Sequence, residues 1–460
     1  TDTSGGFSFL GEFVKKADTI TKITGPVEVD KTLERKRLLE SAKLYKYKLR
    51  FSNDLASVGL TNTMVLTRYQ PYQGGSGPVQ LNNGNNLSWL LMASLSDVME
   101  DYRISGGMKP GVNLTDNEFF IDFQNRRKRI DWGAMYYRSK NSNVGVTFPN
   151  ASFIYPGKII TNLYQGNVTY PLDKVRSVRL IGGLRFDRVI VSAVDPLSLK
   201  QEDENLEYAN LRAEYVHDNS LLKTTNIWNG LRWKVYMETI MGLQKSALLA
   251  GQRETNQFTY NMGADFRYYV PIYRNFIWAV RGAADISWGN QKLIYYLGGA
   301  DGWISPKFNN ANRPTQGVNY LYQTLAVNLR GYQQNVANGN NAVVINSEFR
   351  LPVFSTFFNK PINNAFLRNF QLIQFFDLGS AWEGTFKGIS RPNVVYGAGD
   401  PNNPVRINIK AGGVGPFIGG YGFGARSTLL GYFLKVDAGW PMGGFFKGKP
   451  AWYFALGFDF

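Results

Sequence analysis

The stretch Phe258-Thr-Tyr-Asn-Met-Gly-Ala-Asp-Phe-Arg-Tyr268, followed closely by Phe276-Ile-Trp-Ala-Val-Arg-Gly-Ala-Ala-Asp-Ile-Ser-Trp288, decides the fold. Phe258, Tyr260, Met262, Ala264, Phe266 and Tyr268 occupy every second position, with Asn261, Gly263, Asp265 and Arg267 between them. Phe276, Trp278, Val280, Ala284, Ile286 and Trp288 likewise oppose Arg281, Asp285 and Ser287. A period of two belongs to a β-strand, whose successive side chains leave opposite faces of a sheet. One face is apolar and aromatic, the other ionic. The rhythm recurs at Tyr45, Tyr47, Leu49 and Phe51 against Lys46, Lys48 and Arg50, and at Phe119, Ile121 and Phe123 against Asp122 and Gln124. It returns at Leu231, Trp233, Val235 and Met237 against Arg232, Lys234 and Glu238.

These segments run roughly 9 to 15 residues, longer than strands of soluble sheets and long enough to cross a bilayer at a tilt. Trp and Tyr recur near their ends, at Trp89, Trp132, Trp228, Trp278, Trp288, Trp382, Trp440 and Trp452, as in an interfacial girdle. A soluble sandwich would pack its apolar face on another and needs no such ends. Composition agrees: 460 residues include 48 Gly, 26 Tyr, 31 Phe and 10 Trp, a mixture suited to β-structure. With no Cys and one His, His217, thiolate sites and His-cluster metal sites have no material and a Ser/His/Asp or Cys/His site is very hard to build, so no enzyme, cofactor or metal is expected.

Connections supply a parity test, because barrels of the outer membrane alternate short periplasmic turns with long outer loops. Short turns are read at Met99-Glu100-Asp101, Arg126-Arg127, Pro171 to Lys174, Pro271-Ile272-Tyr273 and Thr428-Leu429, with less regular ones at Asp218 to Asn226 and Ser355 to Asn364. Longer links fall at 53–87, 139–158, 192–203, 244–254, 289–341, 383–414 and 441–450. The expectation is an all-β transmembrane antiparallel barrel of about sixteen strands over 44–460, beginning with a strand from Leu44 to Phe51 and ending with one from Ala451 to Phe460. Residues 1–43 read as a periplasmic segment too small to be a domain, with a polar helix from Lys31 to Lys43. The opening Thr1-Asp2-Thr3 carries no leader, as when a signal peptide is removed or the numbering starts within a longer precursor.

The long link 289–341 contains Tyr295-Tyr-Leu-Gly-Gly-Ala-Asp-Gly302 and then Leu329-Arg330-Gly331-Tyr332. Asn346-Ser-Glu348-Phe-Arg350-Leu-Pro352 and Phe375-Phe-Asp377-Leu-Gly-Ser-Ala-Trp382 follow. This order resembles the BamA/TamA-type outer-membrane insertase superfamily, the bacterial surface antigen barrels, whose sixth loop carries a [VL]-R-G-[FY] tip. The resemblance implies that this loop folds into the lumen, where Arg330 meets carboxylates on the strands that follow. Parity places Glu348 and Asp377 inward, so they are the expected partners. Gly331 gives the backbone freedom of the tip. The alternative is a solvated Arg330, with the acids paired to lumenal bases such as Arg350 or Arg426. Gly419-Gly-Tyr-Gly-Phe-Gly424 lacks the Lys-Ser/Thr and helix of a phosphate loop and is read as clearance for the inserted loop. The end of the chain, where Trp452, Phe454, Leu456, Phe458 and Phe460 share one face, resembles the β-signal of outer-membrane barrels.

Function is read from the junction of first and last strands, with Tyr45, Tyr47, Leu49, Phe51, Trp452, Phe454, Gly457 and Phe460 as seam residues. Gly457 weakens that seam, and an unpaired strand edge in lipid is a template for another strand. The resemblance implies assembly, insertion or translocation of polypeptides in a bacterial outer membrane. Its partners would be outer-membrane lipid including lipopolysaccharide, unfolded β-barrel clients, and periplasmic or lipoprotein subunits, with no nucleic acid. It also implies POTRA modules ahead of the barrel, which residues 1–43 cannot hold. Two alternatives stay open: an anion-favouring channel or uptake barrel lined by Arg179, Arg185, Arg232, Arg267 and Arg281, and a structural docking barrel of a larger envelope complex.

Overall fold

The computed structural model describes residues 48–61, 69–72, 88–111, 116–146, 155–243, 257–315, 317–326, 329–386, 393–397, 406–443 and 446–460. Residues 1–43, and with them the polar helix read at Lys31 to Lys43, lie outside these. Contacts divide the chain into Thr1–Leu49, described only at Lys48 and Leu49, and Arg50–Phe460.

Within the second unit an 18-stranded antiparallel sheet carries two short strands, Leu221–Thr224 and Gly413–Val414, as spurs. The remaining strands, numbered here, are β1 (Phe51–Thr61), β2 (Ser88–Asp97), β3 (Tyr102–Pro110), β4 (Asn117–Asn125), β5 (Asp131–Val146) and β6 (Tyr155–Pro171). They continue with β7 (Arg176–Val191), β8 (Glu204–Asp218), β9 (Ile227–Gly242), β10 (Phe258–Tyr273) and β11 (Phe276–Gly289). Then come β12 (Asn341–Pro352), β13 (Gln371–Trp382), β14 (Phe417–Leu429), β15 (Tyr432–Pro441) and β16 (Ala451–Leu456). Each pairs antiparallel with the next, from β1–β2 through β15–β16. No helix among the described residues is long and apolar enough to cross a membrane.

The two-residue period sorts the faces. On β10, Met262, Phe266 and Tyr268 are exposed while Thr259, Asn261 and Tyr269 are buried. On β12, Ile345 and Phe349 are exposed and Asn346, Glu348 and Arg350 are buried. A sheet that exposes aromatics outward and hides ions inward is the inverse of a soluble core, and it is the surface that hydrocarbon demands.

The core therefore sits inside, around the sixth loop, residues 290–340. Its strands Lys292–Leu297 and Tyr320–Leu325 run parallel, Ala337–Gly339 pairs with the first, and Gln70–Pro71 from the first loop pairs with the second. Leu293, Tyr295, Leu297, Leu321, Tyr322 and Leu329 pack on wall residues including Val146, Val189, Tyr208, Ile240, Val344 and Ile418. The inserted loop touches strands far apart in the sheet: Arg185 of β7 lies 4.4 Å over the Tyr322 ring, and Tyr453 of β16 lies 4.7 Å from the Trp303 ring. A Cβ placed on Gly59 of β1 would lie 3.9 Å from the Tyr432 hydroxyl of β15. The sheet is thus rolled into a barrel about this loop.

Two expectations about the ends change. Among the described residues the first strand spans Phe51–Thr61, so Lys48–Arg50 of the strand expected from Leu44 to Phe51 lie outside it, and Leu44–Tyr47 lie outside the described residues. Its partner β2 ends at Asp97, opposite Phe51, where the chain turns at Val98–Asp101. Lys48–Arg50 consequently have no ladder; Tyr45 and Tyr47 lie outside the described residues. The last strand stops at Leu456, because Gly457 takes a φ of 99° that breaks the alternation. Phe460 then turns inward against Ile227, Tyr269, Ile277 and Ala279 instead of facing lipid. Two turns also shift, to Arg274–Asn275 and Leu430–Gly431, where Arg274, Leu430 and Gly431 take positive φ.

Candidate functional site

The tip of the sixth loop is fixed by the last five strands. Arg330 is 2% exposed. Its Nε donates to Asp377 Oδ2 at 2.7 Å and its Nη2 to Asp377 Oδ1 at 2.9 Å, a planar fork on one carboxylate. Its backbone N–H reaches the same Oδ2 at 3.1 Å. Glu348 Oε1 lies 2.8 Å from Nη2 and Asp437 Oδ2 3.6 Å from Nη1, while the guanidinium rests 3.7 Å over the Phe375 ring. Phe375 and Asp377 share the inward parity of β13, and Glu348 that of β12, so strand geometry alone aims these groups at one point.

The neighbours of Arg330 fix the backbone. Leu329 is fully buried. Gly331, with a φ of 101°, sits where a Cβ would approach the Trp440 carbonyl oxygen to 2.7 Å. Its N–H donates to the Tyr453 hydroxyl at 2.8 Å, which donates in turn to the Tyr332 carbonyl at 2.7 Å. The Tyr332 hydroxyl lies 3.0 Å from the Gly419 carbonyl and 3.2 Å from that of Gly412. At Gly420 a Cβ would collide with the Arg330 carbonyl, so this glycine of β14 is the clearance through which the tip approaches the wall.

The charges continue beyond Arg330. Arg350 donates to Glu348 at 2.8 Å and to the Phe460 carbonyl at 3.0 Å. Arg426 forks onto Asp437 at 2.7 and 3.1 Å and reaches Asp459 at 2.9 Å; Lys435 lies 3.6 Å from Asp459. Four cations, Arg330, Arg350, Arg426 and Lys435, thus face four carboxylates, Glu348, Asp377, Asp437 and Asp459, and the cluster is neutral. Burial opposes ionisation of Asp459, but Arg426, Lys435 and Arg350 outweigh it and hold its pKa well below the usual carboxylate range. Such a buried network gives little net stability relative to an apolar core, yet removing one member leaves an uncompensated charge. Its effect is positional: it ties the loop tip to the segment after β16.

Sequence reading named Arg330, Glu348 and Asp377 but passed over Asp437, Tyr453 and the cation–π seat on Phe375. Asp437 had a usable signal, since Lys435, Asp437 and Gly439 alternate with Leu434, Val436 and Ala438. Tyr453 had none, because only the fold brings its hydroxyl to the loop. Of the candidate lumenal bases, Arg179 is exposed, Arg185 pairs with Asp187 at 2.8 Å, and Arg267 and Arg281 share Asp265 at 2.7 and 2.6 Å. Arg232 stacks over Trp228 at 5.1 Å. A cavity of about 400 Å³ lies among Arg212, Lys234, Asp265 and Asp285. Among the described residues no group of three or more His, Asp or Glu is placed to hold a metal.

At the seam, fifteen strand junctions carry ladders, but among the described residues none joins β1 to β16. Phe51 is the first residue of β1, Leu49 precedes it outside any strand, and Trp452 and Phe454 are exposed on the outer face of β16. The free edge of β16 meets the sixth loop instead. Ile304 donates to the Phe454 carbonyl at 2.8 Å, and Leu456 donates to the Gly302 carbonyl at 3.3 Å.

Fold and site together define a sixteen-stranded barrel whose sixth loop is bolted into its lumen by an arginine. No family model matches the sequence, and no curated protein is similar to it. Among solved structures the chain is similar to BamA from Haemophilus ducreyi lacking POTRA domains 1–3, with a TM-score of 0.47 and 11% identity over 89% of this chain and 74% of that one. It is similar also to CdiB from Acinetobacter baumannii, with a TM-score of 0.43 and 12% identity over 89% of this chain and 65% of that one. For CdiB from Escherichia coli the TM-score is 0.45 and the identity 13%, over 90% and 63%. The chain spans less than two thirds of each CdiB chain.

Proposed function

We propose that the protein inserts or translocates polypeptides at a bacterial outer membrane through the seam between β1 and β16. The observation that supports this most directly is that, among the described residues, no ladder joins β1 to β16 in a sheet otherwise bonded strand to strand. In hydrocarbon an unpaired backbone group is costly, so such an edge favours any chain that supplies a complementary strand. The edge of β1 is exposed from Phe51 to Val58, leaving its backbone open to an incoming strand. The resemblance of the loop tip and of β12 and β13 to the insertase superfamily points the same way. In this reading no bond is made or broken; the protein lowers the barrier to strand pairing in the membrane. Unfolded barrel proteins are the clients, lipid of the outer membrane is the surrounding phase, and accessory subunits deliver the clients.

The test uses Gly59 and Tyr432, which the fold brings together across the seam. The chain has no cysteine, so Gly59→Cys with Tyr432→Cys offers a clean pair for a short bifunctional thiol reagent. The tethered barrel should lose assembly of other outer-membrane barrels in reconstituted vesicles, while the untethered pair keeps it. Equal assembly by both forms would rule out seam opening.

A further inference from the structure

We propose that the edge of β16 is a binding site for an extended polypeptide strand, and that Gly302–Ile304 of the sixth loop is its resident occupant. The inference rests on the seam as the place where strands are exchanged. One of the two seam edges is thus already filled from within, by a segment that a longer strand can replace.

The contact has the form of strand addition. Trp303 bridges Ala455 in antiparallel sense, with the Ile304 N–H on the Phe454 carbonyl and the Leu456 N–H on the Gly302 carbonyl. The alternate residues Tyr453 and Ala455 lie opposite Asp437 and Lys435 of β15, so each backbone edge of β16 has its own neighbour. Side chains define the fit. Gly302 has a φ of 72° and lies so close to the Leu456 carbonyl that a Cβ would collide with it. Trp303 is buried, edge-on to Tyr453 at 4.7 Å, beside Ala300 and Ala451. The site therefore takes a backbone with a small residue, then an aromatic one, then an apolar residue in the place of Ile304. Backbone hydrogen bonds provide the attraction and the alternate side chains the selectivity, as in other additions to a sheet edge.

The strand contact itself is short: two backbone hydrogen bonds to β16 on a three-residue segment, against the six-residue ladder that β16 makes with β15. A longer strand adding to the same edge makes more bonds and can displace it. Until then the occupant covers the edge from stray chains, as natural sheets protect exposed edges. Tyr453 carries the aromatic contact and also the clamp on Gly331 and Tyr332, so the edge and the bolted tip share one side chain.

The test uses the full chain in phosphatidylcholine nanodiscs and a fluorescent peptide with the sequence of residues 299–305 as the probe. In the native chain the tethered segment competes at an effective concentration on the order of millimolar. Gly302→Val ejects it, so the peptide should bind at least tenfold tighter to that variant. A peptide with Ala at the tryptophan should bind at least fivefold more weakly. As a second arm, Ile304→Cys with Phe454→Cys should abolish binding when oxidised and restore it when reduced. The same affinity for native and Gly302→Val barrels, or binding that persists in the oxidised lock, would overturn the proposal. Should Gly302→Val fail to fold, the oxidised and reduced lock still decides. A barrel that binds the peptide as expected yet assembles no client would refute the insertase reading and leave this site standing.

Discussion

Arg330→Ala is the perturbation whose size the structure fixes best. Removing the guanidinium does not strand all three acids alike. Glu348 keeps Arg350, and Asp437 keeps Arg426. Asp377 keeps the Asn346 amide at 2.8 Å and the backbone N–H of residue 330 at 3.1 Å, both neutral donors, but no described cation, in a fully buried site. The loss therefore concentrates on one uncompensated carboxylate, and breaking a buried pair in this way costs about 3–5 kcal/mol. The lost seat over Phe375 adds on the order of 1 kcal/mol. Asp377→Asn in the same chain should return most of that cost, because an amide tolerates the site without a counter-charge. The assay is limited proteolysis of the folded barrel, read as cutting within the sixth loop, beside thermal unfolding in detergent. The single variant should expose the loop at temperatures where the native chain is resistant, and the double variant should regain thermal stability while its tip stays loose. If Arg330→Ala leaves cleavage and unfolding unchanged, or if Asp377→Asn worsens it, the bolt is not what holds the loop.

Other outcomes follow from the same geometry. Gly331→Ala puts a Cβ against the Trp440 carbonyl at a positive φ, a strain of order 1–3 kcal/mol, and should loosen the tip by the same proteolytic measure while Arg330 is intact. Asp459 has a depressed pKa, so its contribution is complete above the ordinary carboxylate value of about 3.9 and fades only as pH falls through the folded value. Thermal unfolding should thus show a native-minus-Asp459→Asn difference that is flat from pH 5 to pH 8 and shrinks in stronger acid; a difference that vanishes near neutrality would contradict it. Tyr453→Phe removes a hydroxyl that bridges Gly331 and Tyr332, and should raise hydrogen exchange at the Gly331 amide without unfolding β16.

The alternation of Phe258 to Tyr268 and Phe276 to Trp288 was sufficient to read a barrel, because a period of two needs no tertiary information to assign faces. Parity likewise placed Glu348 and Asp377 inward. What parity could not supply was where alternation stops counting as a strand. Leu49 and Phe51 continue the alternation, yet among the described residues β1 begins at Phe51, because its partner ends opposite it. Phe460 continues the pattern of β16 on paper, but Gly457 turns it inward and Asp459 finds Arg426 within the barrel.

From the sequence came the approximate strand count and the two faces, both written in local spacing, and, through the family resemblance of its motifs, the loop that enters the lumen and the arginine at its tip. The tertiary structure alone decided that Asp437 and Tyr453 join that arginine, that no ladder joins β1 to β16 among the described residues, and that three residues of the sixth loop lie along the edge of β16. These are meetings between residues more than a hundred positions apart, or between edges whose register depends on every strand between them. Closing a sheet is a global condition, and no local period records whether the last hydrogen bonds are made.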